Sequence, residues 1–254
     1  MFATQISFIG IDPTGGQKPM TYAALEEDLR LLALGQGDLN EVLAFVAGQR
    51  QAIVAISAPQ RLNQGLMEQE QVRASLSPTP RPGRWTQFRI AEYLLRQHRI
   101  SSPRTPRHEQ NCPAWMRVGF SLYRRLEELG YQPHPVESTL QYLEVYPHAS
   151  FCALLECIPF PKQTLEGRIQ RQLVLYEAGL HISDPMTFFE EITRHRLLSG
   201  YLPTDTLYKP GELDAMVAAY TAWLAAHHPE QFSLLGDPQE GQIALPVASL
   251  KARY

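Results

Sequence analysis

Cysteine is scarce in this chain of 254 residues: Cys112, Cys152 and Cys157 make up the whole complement, and no two of them form a CxxC pair. An odd count with no close pairing argues against a disulfide framework and against a zinc cluster, and leaves free thiols. Long apolar runs are lacking too, since no stretch reaches the roughly 18 residues that a membrane-spanning helix requires. The opening MFATQISF has neither the basic start nor the apolar run of a secretory leader. The expectation is a cytoplasmic protein with no membrane partner. Internal repeats and low-complexity tracts are absent as well. What is present is ordinary for a globular protein with a sizeable core, 44% hydrophobic and 19% charged residues.

A net charge of −3 gives no hint of a polyanionic partner, but the mean conceals a local asymmetry. From Arg73 to Arg107 there are eight arginines (Arg73, Arg81, Arg84, Arg89, Arg96, Arg99, Arg104 and Arg107) against the single acid Glu92. Prolines cluster in the same region, at Pro78, Pro80, Pro82, Pro103, Pro106 and Pro113. With a helix expected over 87–98, residues from about 60 to 113 read as an insertion or lid within one domain spanning 1–254. Two readings stay open. The arginines keep a solvated loop soluble, or they form an electrostatic surface for a phosphate backbone, with Arg81 and Arg84 as contacts and Trp85 and Phe88 stacking on bases.

The remaining chain is legible as alternating elements. A buried strand over 6–11 ends at Asp12 and breaks into the turn Pro13-Thr14-Gly15-Gly16. Strands at 19–25 and 28–34 make a meander with it. Asp38 and Glu41 have capping-box spacing for a helix, and the wholly apolar Ala52-Ile53-Val54-Ala55-Ile56 suits a strand buried on both faces. Trp115 to Leu129 reads as a helix stopped by Gly130. A strand from Leu140 to Pro147 follows, interrupted by Glu144. Helices are expected from Thr164 to Ala178, from Asp184 to about Gly200 and from Glu212 to His227, and a hairpin over 232–245 closes the chain.

Three carboxylates stand out. Asp12 sits at a strand end, where an unpaired charge is costly, so it caps its turn or holds a cation. Glu144 lies inside an apolar strand, which calls for a buried ion pair or a functional role. Asp214 begins the last helix, where it either compensates the helix dipole or joins a site. Hard divalent cations take oxygen ligands and retain waters, so two or three converging carboxylates can hold one. Lys162, with Arg168 and Arg171 on one face of the following helix, adds positive charge.

These segments, in this order, resemble the uncharacterised family called domain of unknown function 429, regarded as predicted nucleases of RNase H-like fold. The likeness rests on FIGIDPTGG at 8–16, AIVAISAP at 52–59, LEVYPHASF at 143–151, the Lys162 to Arg171 stretch, LDAMVAAYTA at 213–222 and GDPQEGQIALP at 236–246. The trio of acids is also similar to that of YqgF-type Holliday-junction resolvases. The resemblance implies an α/β fold: a mixed five-stranded sheet flanked by helices, with the Arg/Pro-rich helical insertion and a C-terminal helix plus β-hairpin. It implies a metal-dependent nuclease that hydrolyses phosphodiester bonds in DNA or RNA. Asp12, Glu144 and Asp214 would be catalytic and metal-binding, for two Mg²⁺ or Mn²⁺ ions, with Lys162, Arg168 and Arg171 on phosphates. One departure is that the family commonly carries Asp where this chain has Ser57. Two alternatives follow. One is a catalytically impaired RNase H-like protein that binds nucleic acid or acts as a scaffold. The other is an actin-like phosphotransferase, which normally needs a second FIGID-like segment that this chain lacks.

Overall fold

The computed structural model describes residues 6–15, 18–81 and 83–254, with Arg84 described by its backbone alone. Its framework is one mixed sheet. Strands β1 (Ser7–Asp12), β2 (Met20–Leu25) and β3 (Leu31–Gly37) form an antiparallel meander, as their alternating and turn residues suggest. Beside β1 lies β4 (Ala52–Ile56), parallel, and beside β4 lies β6 (Leu140–Val145), also parallel. The five expected strands are therefore present. The sheet nevertheless has eight strands, because the C-terminal hairpin β7 (Ser233–Asp237) and β8 (Gly241–Leu245) joins it through β8 alongside β6, and the two-residue β5 (Gln132–Pro133) pairs with another part of β6. An isolated hairpin is marginal in water, and continuing a sheet edge satisfies its free backbone groups.

Strand parity divides the chemistry between two faces. On one side Phe8, Ala23, Leu25, Ala55, Leu143 and Val145 pack against α5 (Pro147–Leu155), α6 (Leu165–Glu177) and α9 (Pro210–His227). On the other, Ile9, Ile11, Val54, Ile56 and Tyr142 pack against α1 (Leu39–Ala47) and α4 (Ala114–Glu128). Each such Leu, Ile, Val or Phe side chain, fully buried, contributes about 1.5–3 kcal/mol of transfer free energy. The capping box at α1 forms as its spacing requires: Asp38 accepts from the amides of Asn40 and Glu41, and Glu41 accepts from the Asp38 amide. α9 is buried on almost every side. Its alanines let it lie directly on β1, where a Cβ at Gly10 would come within 1.9 Å of the Ala215 carbonyl oxygen and 2.5 Å of the Ala219 nitrogen.

The insertion has more structure than an irregular lid. It contains α2 (Glu70–Ser75) and α3 (Ile90–Gln97) and a small core of Leu66, Met67, Phe88, Ile90 and Tyr93. α3 lies on the C-terminal hairpin, with Ala91 filling the space that a side chain at Gly236 would need. α5 goes unforeseen in the sequence, where Pro147 reads as a strand end; in the fold it starts a helix, a position that needs no amide donor. The single helix expected from Asp184 is two short ones, α7 (Thr187–Glu190) and α8 (Arg194–Leu198), with Thr193 capping the second. Among the described residues no helix is long and apolar enough to cross a membrane.

Candidate functional site

β1, β4 and β6 run parallel, so their C-terminal ends share one edge of the sheet, the place where α/β folds usually receive ligands. A cleft of about 840 Å³ opens there. Asp12 lies on its floor, on the same face as Phe8 and Gly10, towards α9. The first turn of α9 comes close enough that a Cβ at Gly211 would stand 3.5 Å from Asp12 Oδ2. That turn is closed by Pro210 and by Glu212, which accepts from the Lys209 amide at 2.7 Å.

Asp214 follows in the second turn of α9, not the first, so compensation of the helix dipole does not explain it. It is 4% exposed, and its Oδ2 accepts a hydrogen bond from Lys162 Nζ at 2.6 Å. Burial, and after it the charge of Asp214, push the Asp12 carboxyl from 3.8 up to about 7, with Lys162 pulling the other way. For Lys162 itself burial favours the neutral amine, but Asp214 and then Asp12 outweigh it and raise its pKa. Among the described residues no hydrogen-bond donor reaches the Asp12 carboxylate. The pair of acids is thus sparsely paired: among the described residues the one ion-pair contact to either is Lys162, with a side chain 49% exposed, and Arg171 acts on Asp214 only through space.

Glu144 does not join them. Ile11 is in register with Ile56, and Ile56 with Glu144, so Glu144 points to the opposite face of the sheet from Asp12. There Arg89, 1% exposed, holds it with two hydrogen bonds, Nη2 to Oε1 at 2.5 Å and Nη1 to Oε2 at 3.0 Å, while the Gln60 amide donates to Oε2 at 2.8 Å. Arg89 also donates from Nε to Glu92 at 2.9 Å and from Nη1 to the Glu240 carbonyl at 2.8 Å. Burial alone would lower the pKa of Arg89, yet Glu144 and then Glu92 reverse this and keep it charged. Of the two readings open for Glu144, the structure shows the buried ion pair. Among the described residues no three His, Cys, Asp or Glu side chains gather as a metal cluster.

The expected phosphate contacts also separate. Arg171 reaches the cleft from α6. It is buried, its Nη1 donates to the carbonyls of Phe160 at 2.7 Å and Gly167 at 2.9 Å, and its Nε has no partner. Arg168 faces elsewhere and ties the segment before α9 to α6 through the carbonyls of Tyr208, Leu207 and Thr204. Arg81 is exposed and apart from the cleft; the side chain of Arg84 and residue Gly16 of the first turn lie outside the described residues. Much of the insertion's positive charge is used internally. Arg73 donates to Met67 and Glu68 carbonyls, Arg96 to Ser102 and Arg104 to the Gln87 side chain, while Arg107 pairs with Glu68. Of the two aromatics expected to stack on bases, Phe88 is buried in the insertion's core and Trp85, partly buried, packs against it.

Ser57, the departure noted in the sequence, lies in the cleft, and several of its neighbours there escape the sequence reading. Ser57 continues β4 directly beside Asp12, its amide bonding the Ile11 carbonyl at 2.9 Å, and its buried Oγ has no partner. Tyr146 follows β6 and donates from its hydroxyl to the Ser101 carbonyl at 2.9 Å. The pKa of His148, in α5, is lowered by burial and then by Arg171, against Asp214. Trp115, Phe160 and Lys18 complete the walls. The signal that finds Ser57 and Tyr146 is positional: each is the first residue after a parallel strand, as Asp12 is the last of its own.

Comparison with curated proteins and with solved structures finds no match. A family model does match, over residues 10–240, and its description is protein of unknown function, DUF429. That span takes in both acids of the cleft, the lysine between them and the whole Arg89 network on the other face. The chain belongs to the DUF429 family.

Proposed function

We propose that this protein is a divalent-cation-dependent hydrolase of phosphodiester bonds in nucleic acid. The observation that carries the reading is the sparsely paired acids Asp12 and Asp214 at the cleft floor, with Lys162 and Arg171 beside them. Carboxylates attract a hard cation, and the two basic residues attract the phosphate oxygens that would share it. A three-stranded meander joined to parallel β4 and β6 supports the RNase H-like form of the fold.

The donor set fits one Mg²⁺ or Mn²⁺. Asp12 and Asp214 supply two oxygen ligands, leaving the remaining positions to water and phosphate, while Ser57 Oγ is an orphaned polar atom at the same edge. The two-ion arrangement that the resemblance implies would need Glu144 to leave Arg89 and cross the sheet, so we infer a single ion. When bound, the cation would polarise the phosphate and lower the pKa of a coordinated water. The chain's own residues do the rest. Arg171, held by two carbonyls, brings its charge to the cleft for the phosphate, and Lys162 neutralises charge at Asp214. His148, whose lowered pKa favours the base form, is placed to take a proton at the cleft wall.

A second reading, a nucleic-acid-binding protein without catalysis, is favoured by Ser57 standing beside Asp12 and by the engagement of Glu144. One experiment separates them. Single-stranded, duplex and branched DNA and RNA are incubated with millimolar Mg²⁺ or Mn²⁺, with wild type and with Asp12→Asn. Cleavage that falls at least about 100-fold in the variant supports the hydrolase. Equal rates in both proteins would overturn it, and binding without turnover in wild type selects the second reading.

A further inference from the structure

The cleft has a wall that phosphate chemistry alone does not explain. Phe160 is 54% exposed at its rim, and unlike the other large exposed hydrophobic side chains it lines the cleft. Its backbone is nevertheless pinned. The Phe160 amide donates to Gln170 Oε1 at 2.8 Å, its carbonyl accepts from Arg171 Nη1 at 2.7 Å, and Pro159 and Pro161 on either side fix their own φ angles. The ring is thus held out into solvent by a rigid segment. The residue that anchors it, Arg171, also lines the cleft with its charge. Trp115, from the start of α4, lines the same cleft.

An exposed aromatic on a fixed backbone, one residue's reach from an arginine, matches the repeating unit of a single nucleic-acid strand: a flat base joined to a phosphate. Stacking on a ring requires a free base face, which a double helix keeps inside its own stack. A cleft of about 840 Å³ is of the size that takes small ligands, not a duplex. We propose that the substrate is an unpaired nucleotide of a strand, its base on Phe160 or Trp115 and its phosphate at Arg171 and Lys162. This deepens, and rests on, the hydrolase reading, and it relocates base recognition from the insertion to the segment between α5 and α6.

The test is fluorescence anisotropy of a labelled oligothymidylate, against the same strand annealed to its complement, at low salt with chelator present so that no turnover intervenes. The single strand is expected to bind at least 10-fold more tightly than the duplex. Phe160→Ala should weaken single-strand binding roughly 5- to 100-fold, Phe160→Tyr should restore most of it, and inorganic phosphate as competitor should act equally on all three proteins. Phe160 is exposed, so these variants keep the fold. Duplex binding as tight as single-strand binding, an unchanged affinity in Phe160→Ala, or no single-strand binding at all would overturn the inference. The two readings fail separately. Phe160-dependent binding without divalent-dependent turnover sinks the hydrolase and leaves the base platform standing, whereas equal cleavage of duplex and single strand, indifferent to Phe160→Ala, does the reverse.

Discussion

The two faces of the sheet each bury carboxylates, and they treat them differently. On the α4 side, Glu144, Glu92 and Glu240 surround Arg89, and every carboxylate oxygen has a donor. Glu92 accepts from the Thr105 amide and hydroxyl, and Glu240 from the amides of Gln64, Leu66 and Ile90. On the α9 side, the one direct ion pair is between Asp214 and the half-exposed Lys162, Arg171 acts on Asp214 only through space, and Asp12 has no hydrogen-bond donor among the described residues. The first arrangement binds the insertion and the C-terminal hairpin to β6 and has no capacity left over. The second stores unfavourable charge proximity at the edge of a cleft. Satisfied buried charge is architecture here, and unsatisfied buried charge is where chemistry is expected.

The largest way to break this contrast is Arg89→Met. It leaves Glu144 and Glu92 buried without their cation and should cost about 3–5 kcal/mol, read as a lower urea midpoint. The milder Glu144→Gln should cost about 1–3 kcal/mol and leave Mn²⁺ affinity unchanged by calorimetry. A tenfold loss of Mn²⁺ affinity would show that the two faces share an ion, and the contrast would collapse.

Asp12→Asn should act in the opposite direction. In the unfolded chain this carboxyl ionises near 3.8, whereas in the fold it keeps its proton until about 7. Between those values the native state binds more protons than the unfolded state, so stability falls as pH rises through the window and stays low above it. Asparagine removes that loss. The variant should therefore melt with wild type near pH 3 and progressively above it from pH 4 to pH 8. The gain should reach a few kcal/mol, since each pH unit between the two ionisation points is worth roughly 1.4 kcal/mol. A melting difference that shrinks with pH would show that Asp12 is already compensated.

Smallest in stability is Lys162→Met. Because the lysine side chain is half exposed, the ion pair with Asp214 contributes about 1 kcal/mol or less. Its sharper readout is salt dependence: the log–log slope of oligonucleotide binding should fall by about one if this ammonium meets a phosphate. An unchanged slope would confine Lys162 to neutralising Asp214.

Much of the fold is legible in the sequence because its signals are local. The alternation around Ile9 and Ile11, the capping box at Asp38 and Glu41, and the alanine-lined face of α9 each mark an element within a few residues. The site is only half legible. Asp12 and Asp214 stand apart from structural acids by position, but whether Glu144 joins them depends on strand parity relative to β1, and that is settled by inter-strand register, which no local pattern carries. Arginine-rich segments are only partly legible for a similar reason. Composition counts the charges of Arg73, Arg89, Arg96 and Arg107 but cannot see that neighbouring carbonyls and carboxylates already use them. Phe160 escapes a reading of the sequence because α5, which delivers it, begins at a proline that reads equally well as the end of a strand.

Gly10 carries a consequence beyond tight packing. With the Ala215 carbonyl oxygen where its Cβ would be, β1 and α9 touch main chain to main chain. The spacing of the two acids is then written in peptide planes: two residues along the strand to Asp12, one residue back along the helix to Asp214. A gauge of that kind has no rotamers to explore. The walls of the cleft can be respecified one side chain at a time, at Phe160, Trp115 or His148, while the clearance at its floor stays fixed by the stiffest parts of the molecule.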